Sequence, residues 1–593
     1  MAKKRLILGI DLGTTFSLAC LRVGADQFHF FTPEVGGDQL VPSVFLHKQD
    51  GTILVGAMAE VEEKFEEHRS HVVRHVKRYM KNNYQEGDQE PETFPSHGRE
   101  FLPYEVSGHI LKTLKEAAEN EIRSRIGDAI RNEYEWLGHI YAAVITVPAY
   151  FGTSERQATL DAAKFAGFSP DNVKLLDEPV AAALSLNLHQ EKGKLIIMVI
   201  DIGGGTTDIT LLKVGRDVEN GGFFELGRIG DAGLGGVDID QKIVRNTIYS
   251  TIATGKQDRY STEEKDALED NRRQGPFFQR AEMEKKKVCR EMQEKKGIYG
   301  EVRYREPVKN EMFQFKFNEK WLREETEYFV EYCARLCDFL LKNVDRREAG
   351  RWWPGHGISW TNVDEVWMVG GTSLMPHLQQ RIVSRLRDQN KLHVAPRPQH
   401  AVAEGAAVYA DMLARNQPLK GIAMPRCPCD IGVMTIPRKT WWQKLCHWFS
   451  GRPKAENTNQ KFFPLICSNT LLSDESKRTR KCQARVRPGP DGKSRIDICQ
   501  RFVSRQPTVP GAPDSDRRPS SEMHYTIRKV RRLTISDLRP ANSQVDMDTV
   551  YFEVTYEPTH TLHFTAEFRG HKLKPIEVRE GEFNMLFQTD SLK

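Results

Sequence analysis

Two apolar runs of the same make lie about 190 residues apart. "RLILGIDLG", Arg5 to Gly13, and "LIIMVIDIGGG", Leu195 to Gly205, are apolar enough for buried strands. Each reaches an aspartate, passes into glycine and two threonines, and continues as a second β-prone run, so each predicts strand, tight turn, strand. Between them, Val144 to Phe168 holds a β-branched run, a proline, and a helix opening near Ser154 with Glu155 in its first turn. "KLLDEPVAAALSL" follows, a short apolar run that leads through Glu178 into an alanine-rich helix. "VWMVGGTSLMPHLQQRI", Val366 to Ile382, reads as strand, Gly370-Gly371 turn and helix. From Asp430 the pattern changes to short alternating runs, "KCQARVRP", "SRIDICQRFV", "TVYFEVTY" and "TLHFTAEFRG", parted by Pro, Gly and Asp clusters. The pattern is α/β first and β-rich last.

Length and charge narrow the classes. At 593 residues the chain exceeds what one core supports, so two to four domains are expected. With 39% hydrophobic and 28% charged residues it is neither disordered nor fibrous. The 86 basic and 81 acidic residues leave +5, too little to point to nucleic acid, although "SKRTRKCQARVR" and "RKVRRL" gather basic charge in the last third. "MAKKRLILGIDLG" opens like a secretion signal, but Asp11 breaks the apolar run and no small-residue cleavage site follows. No apolar stretch approaches the roughly eighteen residues of a membrane span, so no transmembrane segment and a cytoplasmic location are expected. Ten unevenly spaced cysteines fit a reducing compartment.

The glycine turns carry the candidate chemistry. Glycine lets a ligand approach bare N–H groups, and these with the hydroxyls of Thr14, Thr15, Thr206 and Thr207 make donors for phosphate oxygens. Asp11 and Asp201, at the strand-to-turn junctions, are placed to hold a hydrated Mg²⁺. Either copy alone reads more readily as a plain β-hairpin, but duplication reverses that preference, because packing gives no reason to repeat Asp and Thr beside the glycines. Glu178 alone reads as a helix-start carboxylate favoured by the helix dipole. The Gly370-Gly371 turn opens a helix whose N-terminal amides suit phosphate or a nucleoside.

Together, "GIDLGTT", "VPAYF" with "RQAT", "LDEPVAAAL", "IDIGGGTTD", "LGGVDID", "VGG" and "AVAEGAAV" resemble, in order and over roughly residues 5 to 415, the nucleotide-binding part of the seventy-kilodalton heat-shock protein family, the DnaK-type chaperones. The resemblance implies an α/β actin-like ATPase of two ribonuclease-H-like lobes over residues 1–415. A linker over 416–430 and a mainly-β sandwich over 431–593 would follow. Each lobe would bring its own phosphate hairpin to one ATP.

Carried over by position, the resemblance gives Lys77, Glu178, Asp201 and Thr206 catalytic roles. Asp11, Glu178 and Asp201 would hold Mg²⁺ through water. Asp11, Gly13, Thr14, Thr15, Gly203, Gly204, Gly205, Thr206, Asp208, Gly235, Gly236, Gly370, Gly371 and Thr372 would line ATP or ADP, with K⁺ beside Asp208. "RAEMEKKKVC" resembles the adenosine helix, giving Glu282 and Lys285 as nucleoside contacts; its other reading is a solvated amphipathic helix. Lys77 by itself reads as a solvated helix charge among His75, Arg78 and Lys81. No strong base accompanies the attacking water, so hydrolysis would rest on positioning and be slow.

Several positions depart from the family pattern. Leu374 replaces an arginine that stacks on adenine, Cys289 a serine and Gln399 an aspartate, so nucleotide affinity is expected below the family's. The acidic and leucine-rich linker code is absent from "PLKGIAMPRCPCD", Pro418 to Asp430. In the last third, "DTVYFEVTYEPTHTLHFTAEF" looks like paired strands of the family's peptide-binding sandwich, and "KFFPLICSNTLL" is similar to strands at its groove; an immunoglobulin-like sandwich would show the same alternation.

Trp441, Trp442, Leu445, Trp448 and Phe449 form a helix-like apolar stripe, fit for its own domain or for a partner or membrane surface. Gln506 to Glu522 is Pro/Ser-rich. Cys427, Cys429, Cys446, His447 and Cys467 lack a second paired C-x₂-C and are expected as free thiols rather than a zinc site. No helical tail follows the last strands, so bound peptide should escape quickly.

These features predict a DnaK-type chaperone, a slow ATPase coupled to binding of extended hydrophobic segments. Unfolded polypeptides would be its clients, with a J-domain co-chaperone and a nucleotide exchange factor as further partners. A nucleotide-dependent regulatory protein that holds one dedicated partner is the alternative. A small-molecule kinase on the same fold would need a carboxylate base where the resemblance puts Lys77.

Overall fold

A computed structural model describes residues 3–417, apart from short internal stretches of which 81–91 and 345–356 are the longest, and the backbone of nine strands between 430 and 579. The chain divides into two compact units: one runs from Met1 to Ala423 apart from 83–90 and 152–154, and the other takes Met424 to Lys593 with those two stretches.

The first unit is α/β and repeats one sheet plan. In the first sheet, β1 (Leu8–Asp11), β2 (Phe16–Arg22) and β3 (Phe28–Phe31) form an antiparallel meander. β4 (Ala143–Val147) lies parallel to β1, and β5 (Val173–Asp177) parallel to β4. The second sheet repeats this with β6 (Leu195–Ile202), β7 (Thr207–Val214) and β8 (Phe223–Asp231) as the meander. β9 (Glu365–Val369) and β10 (Leu392–Val394) are its parallel strands. The orders are β5-β4-β1-β2-β3, with a short Val41–Pro42 strand joining β2, and β8-β7-β6-β9-β10. The repeated apolar runs therefore become the same strand of each sheet, the one flanked by a meander on one side and parallel strands on the other.

Near-continuous apolar strands demand cover on both faces. One core joins Leu8, Ile10, Phe31 and Ile145 to Phe45, Phe101, Ile110 and Leu111, the last two on the helix α1 (Pro103–Arg123). A second joins Val144, Val199, Leu212 and Val369 to two alanine-rich helices, α2 (Glu178–Ser185) and α4 (Ala401–Ala414). These helices approach through their smallest residues. A Cβ on Gly405 would overlap the Ala181 carbonyl, and one on Gly9 would lie 2.6 Å from Ala407 Cα, which explains glycine at both positions. Between them in sequence comes α3 (Gly275–Gln293), which carries "RAEMEKKKVC".

The second unit contributes two antiparallel sheets. Strands 430–435, 461–466, 494–504 and 524–535 form one, in the order 461–466, 430–435, 494–504, 524–535. The other holds 479–486, 548–556, 561–568 and 571–572, with 576–579 also on 561–568. The four alternating runs all fall on strands, and the last two pair from Val550↔Phe568 to Tyr556↔Leu562. The twelve-residue strand His524–Ile535 covers the basic run "RKVRRL". Pro418 to Cys429, the tryptophan stripe at 441–449, Gln506 to Glu522 and the Cys427, Cys429, Cys446, His447, Cys467 set lie outside the described residues.

Candidate functional site

The two glycine turns face each other across a cavity of about 400 Å³ in the first unit. A Cβ on Gly204 would overlap Thr15 Oγ1, and one on Gly205 would sit 3.0 Å from Thr14 Cβ. Each hairpin is thus built to admit the other. Three consecutive carbonyls of the second turn are pinned: Gly203 O accepts from the Gly236 N–H (3.1 Å) and the Thr372 hydroxyl (2.8 Å), Gly204 O from the Val237 N–H (2.8 Å), and Gly205 O from the Arg78 guanidinium. Gly370 takes φ +82° at the end of β9, where a Cβ would lie 2.5 Å from Asp201 Oδ1. That position needs glycine for conformation and for space.

Lys77 reaches the cavity by a local irregularity. The strand Val72–Arg74 ends at His75, which adopts φ 56°, uncommon for a residue with a side chain, and Val76–Tyr79 forms a single 3₁₀ turn. That turn buries Lys77 and bonds its ammonium to Glu178, the first residue of α2. The solvated-helix reading of Lys77 fails here: a buried ammonium needs a partner, and the turn supplies one. Glu178 keeps the helix-start position read from sequence and adds the bond to Lys77.

Carboxylates outnumber that ammonium. Burial opposes charge on Lys77, but Glu178, Asp11 and Asp208 outweigh it and hold its pKa above the ordinary value. Burial pushes Asp11 up to about 7; Lys77 opposes, Glu178 adds repulsion, and the Thr146 hydroxyl donates to Asp11 Oδ1 at 3.0 Å. Asp201 and Asp208 are raised well above the usual range by burial first, then by neighbouring carboxylates. Asp208 Oδ1 accepts from the Ala149 N–H at 2.9 Å, while among the described residues its buried Oδ2 has no partner, nor does Thr15 Oγ1.

An all-oxygen donor set, with buried carboxyls whose ionisation a cation would favour, fits a hard cation such as Mg²⁺. Among the described residues no three His, Cys, Asp or Glu side chains converge to hold a bare ion.

Of the expected residues, Asp11, Gly13, Thr14, Thr15, Lys77, Glu178, Asp201, Gly203, Gly204, Thr206, Gly236, Glu282, Lys285, Gly370, Gly371 and Thr372 line the cavity. Gly205, Asp208 and Gly235 do not stand in its wall. Gly205 meets Arg78, Asp208 is buried, and the Gly235 N–H donates to Asp238 Oδ2 at 2.7 Å. On α3, Lys285 is buried, donating to Gly236 O (2.9 Å) and pairing with Asp240 (2.7 Å), and Glu282 pairs with Lys286 (2.7 Å). Burial works against the Glu282 charge, yet Lys286 and Lys285 keep its pKa below the ordinary value. Leu374, Cys289 and Gln399 all line the same cavity.

Sequence reasoning missed Thr146, Glu60, Arg74, Gln279 and the part played by Arg78. Arg74 is buried against Glu63 and Glu60, and Glu60 also accepts from Gln279 of α3 at 3.0 Å. Such partners lie up to 219 positions apart, beyond any local pattern.

The family model described as "Hsp70 protein" matches residues 7–444, and the chain belongs to that family. Members of the family are ATPases of the actin-like fold that bind ATP or ADP with Mg²⁺, and the α/β first unit accords with that class. The chain is 30% identical over 443 residues to "Chaperone protein DnaK" of Methanothermobacter thermautotrophicus, covering 74% of this chain and 64% of the relative. It is 28% identical over 447 residues to "Chaperone protein dnaK" of Cyanidioschyzon merolae (72% and 65%), and 28% over 450 residues to that of Cyanidium caldarium (72% and 64%). The match thus spans just under two thirds of these relatives' length. Among the described residues no helix is long and apolar enough to cross a membrane.

Proposed function

We propose that this chain is a DnaK-type ATP-dependent chaperone: its first unit hydrolyses MgATP slowly, and its second, read as a divergent β-sandwich, holds extended hydrophobic segments of unfolded polypeptides. The observation that carries the reading is the convergence of Lys77, Glu178, Asp11 and Asp201 between two interlocked glycine turns.

The hairpin amides and the hydroxyls of Thr14, Thr15 and Thr206 would hold the phosphates, and Asp11, Asp201 and Glu178 the waters of Mg²⁺, which when bound would neutralise phosphate charge. Asp208, with an oxygen unpartnered among the described residues, suits a monovalent cation such as K⁺. Lys77 stays protonated at neutral pH, so it serves as a fixed cation that orients the attacking water and the terminal phosphate rather than as a base. With no base of matched pKa contributed by that lysine, the barrier falls by positioning and electrostatics, which suits a timer. Asp11, pushed up to about 7, makes proton and cation compete for the site, so Mg²⁺-dependent binding weakens as pH falls below neutrality.

The test uses the full chain. ATP turnover is measured against a library of unrelated extended peptides, with a J-domain protein and an exchange factor as further additions. A rise with many hydrophobic sequences supports the reading; turnover indifferent to all of them removes the client half, and absence of MgATP hydrolysis removes the enzyme half.

A further inference from the structure

Arg78 follows Lys77 on the same 3₁₀ turn, yet its side chain does different work. Its Nε and Nη2 both donate to Gly205 O, at 3.0 and 2.8 Å, and Nη2 also donates to Asp238 Oδ2 at 2.9 Å. The same Asp238 oxygen accepts the Gly235 N–H at 2.7 Å. A guanidinium that begins beside the first sheet's hairpin therefore ends on the second sheet's hairpin and on the turn before the helix Gly236–Ala253.

The consequence lies in peptide geometry. In a trans peptide the carbonyl and the following N–H point in opposite directions. Gly203 O and Gly204 O are drawn off by groups of the second sheet's own connections, Gly236, Val237 and Thr372. Gly205 O is drawn off by Arg78, and the Gly205–Thr206 peptide has its N–H on the opposite edge. Thr206 lines the cavity. Glycine, with no side chain to fix its conformation, leaves this peptide free to flip unless something holds its oxygen. The space is also shaped for the arginine: a Cβ on Gly205 would come within 2.9 Å of Arg78 Nε.

We propose that Arg78 is a positioning residue of the phosphate cradle, orienting the Gly205–Thr206 peptide and tying the turn that carries Lys77 to the opposite hairpin, so that placing Lys77 and closing the two hairpins are one event. The inference rests on the nucleotide reading of the cavity and adds to it a residue that stands outside the cavity wall. Asp238 is the second half of the device. It holds the guanidinium in plane and pins Gly235 with the same oxygen. A lysine at 78 would reach one acceptor as a point charge but could not fork across Gly205 O and Asp238 together.

Arg78→Ala, Arg78→Lys and Asp238→Asn are compared with the unaltered chain by release of a fluorescent ADP in the presence of Mg²⁺, by single-turnover ATP hydrolysis, and by thermal midpoint. Arg78→Ala is expected to speed ADP release and to slow the single turnover, each about tenfold or more, with the midpoint little changed. Arg78→Lys should restore less than half of either loss. Asp238→Asn, which keeps the acceptor oxygen, should move both rates the same way by a smaller factor, and the double variant should fall short of the product of the singles because the two groups act as a unit.

Unaltered release and turnover in Arg78→Ala would overturn the proposal, and so would full restoration by lysine. Should Arg78→Ala fail to fold, the same rates in Asp238→Asn decide. A parent chain that binds no MgADP would overturn the nucleotide reading itself, which is distinguishable from a parent that binds and a variant that behaves identically.

Discussion

The two hairpins grow from the same strand of the same sheet plan, yet they offer a ligand different things. The first, Asp11 to Phe16, has a single glycine in its turn and presents side chains: the buried Thr15 hydroxyl has no partner among the described residues, Thr14 packs against the opposite turn, and Asp11 leans on Thr146. In the second, Ile202 to Thr207, three successive glycines have their carbonyls taken from outside, so it presents backbone. One half of the cradle is written in side-chain chemistry and the other in peptide orientation. Substitutions should therefore fail differently on the two sides.

The largest effect is expected where both halves meet the charge. Lys77→Ala should lower single-turnover hydrolysis at least a hundredfold, while ATP binding by calorimetry stays within a few-fold of the parent; undiminished hydrolysis would remove Lys77 from its role. Removing one partner of a buried pair leaves the other uncompensated, which costs about 3–5 kcal/mol. The variant without nucleotide should accordingly melt earlier and regain more from added Mg²⁺ than the parent does.

Next come two neighbouring glycines. Gly204→Ala puts a methyl group into Thr15 Oγ1, whereas the nearest atoms to a Cβ on Gly203 are 3.9 Å away, an ordinary contact. MgADP affinity should fall tenfold or more in the first and by less than threefold in the second. Equal losses would mean that the hairpins are not interlocked.

A smaller effect separates the cradle from the core behind the first sheet. His109 lies among Phe45, Phe101 and Phe165, and burial, helped by Lys112, Arg99 and His47, lowers its pKa from 6.5 to about 4. The unfolded chain takes up this proton as pH falls through 6.5 while the folded chain resists until about 4. His109 therefore contributes stability that is present above 6.5 and lost as pH falls across that window. Its buried Nε2 has no partner among the described residues, so His109→Phe leaves no new orphan there. The melting difference between His109→Phe and the parent should shift in favour of the variant from pH 7 to pH 5, with MgADP binding at pH 7 unmoved. A constant difference would contradict the assignment.

The smallest change belongs to the nucleoside end. Leu374 is 40% exposed on the cavity and offers no cation to a purine face. Leu374→Arg should tighten ADP by about 1 kcal/mol, a few-fold in affinity, as one cation–π contact allows.

Much of this cradle was legible because its signals are local. Asp, Gly and Thr in fixed order define a hairpin within ten residues, and a repeat of that order 190 residues on cannot come from packing alone. The alternating runs of the second unit were legible by the same period-two logic. What escaped is non-local or irregular. His75 at positive φ turns Lys77 inward, and no pattern announces a strand that breaks into a single 3₁₀ turn. Arg78 looked like one more charge in "HVKRYMKNN" because its acceptor, a main-chain oxygen of Gly205, carries no side-chain signature. Thr146 and Gln279 were hidden in the same way, by partners 135 and 219 positions distant.

Where α2 meets α4, Gly405 lies directly against the Ala181 backbone, while Val180, Leu184, Val402 and Val408 fill the same core. Even alanine at position 405 would therefore act as a wedge, and the helix pair would have to part to take it.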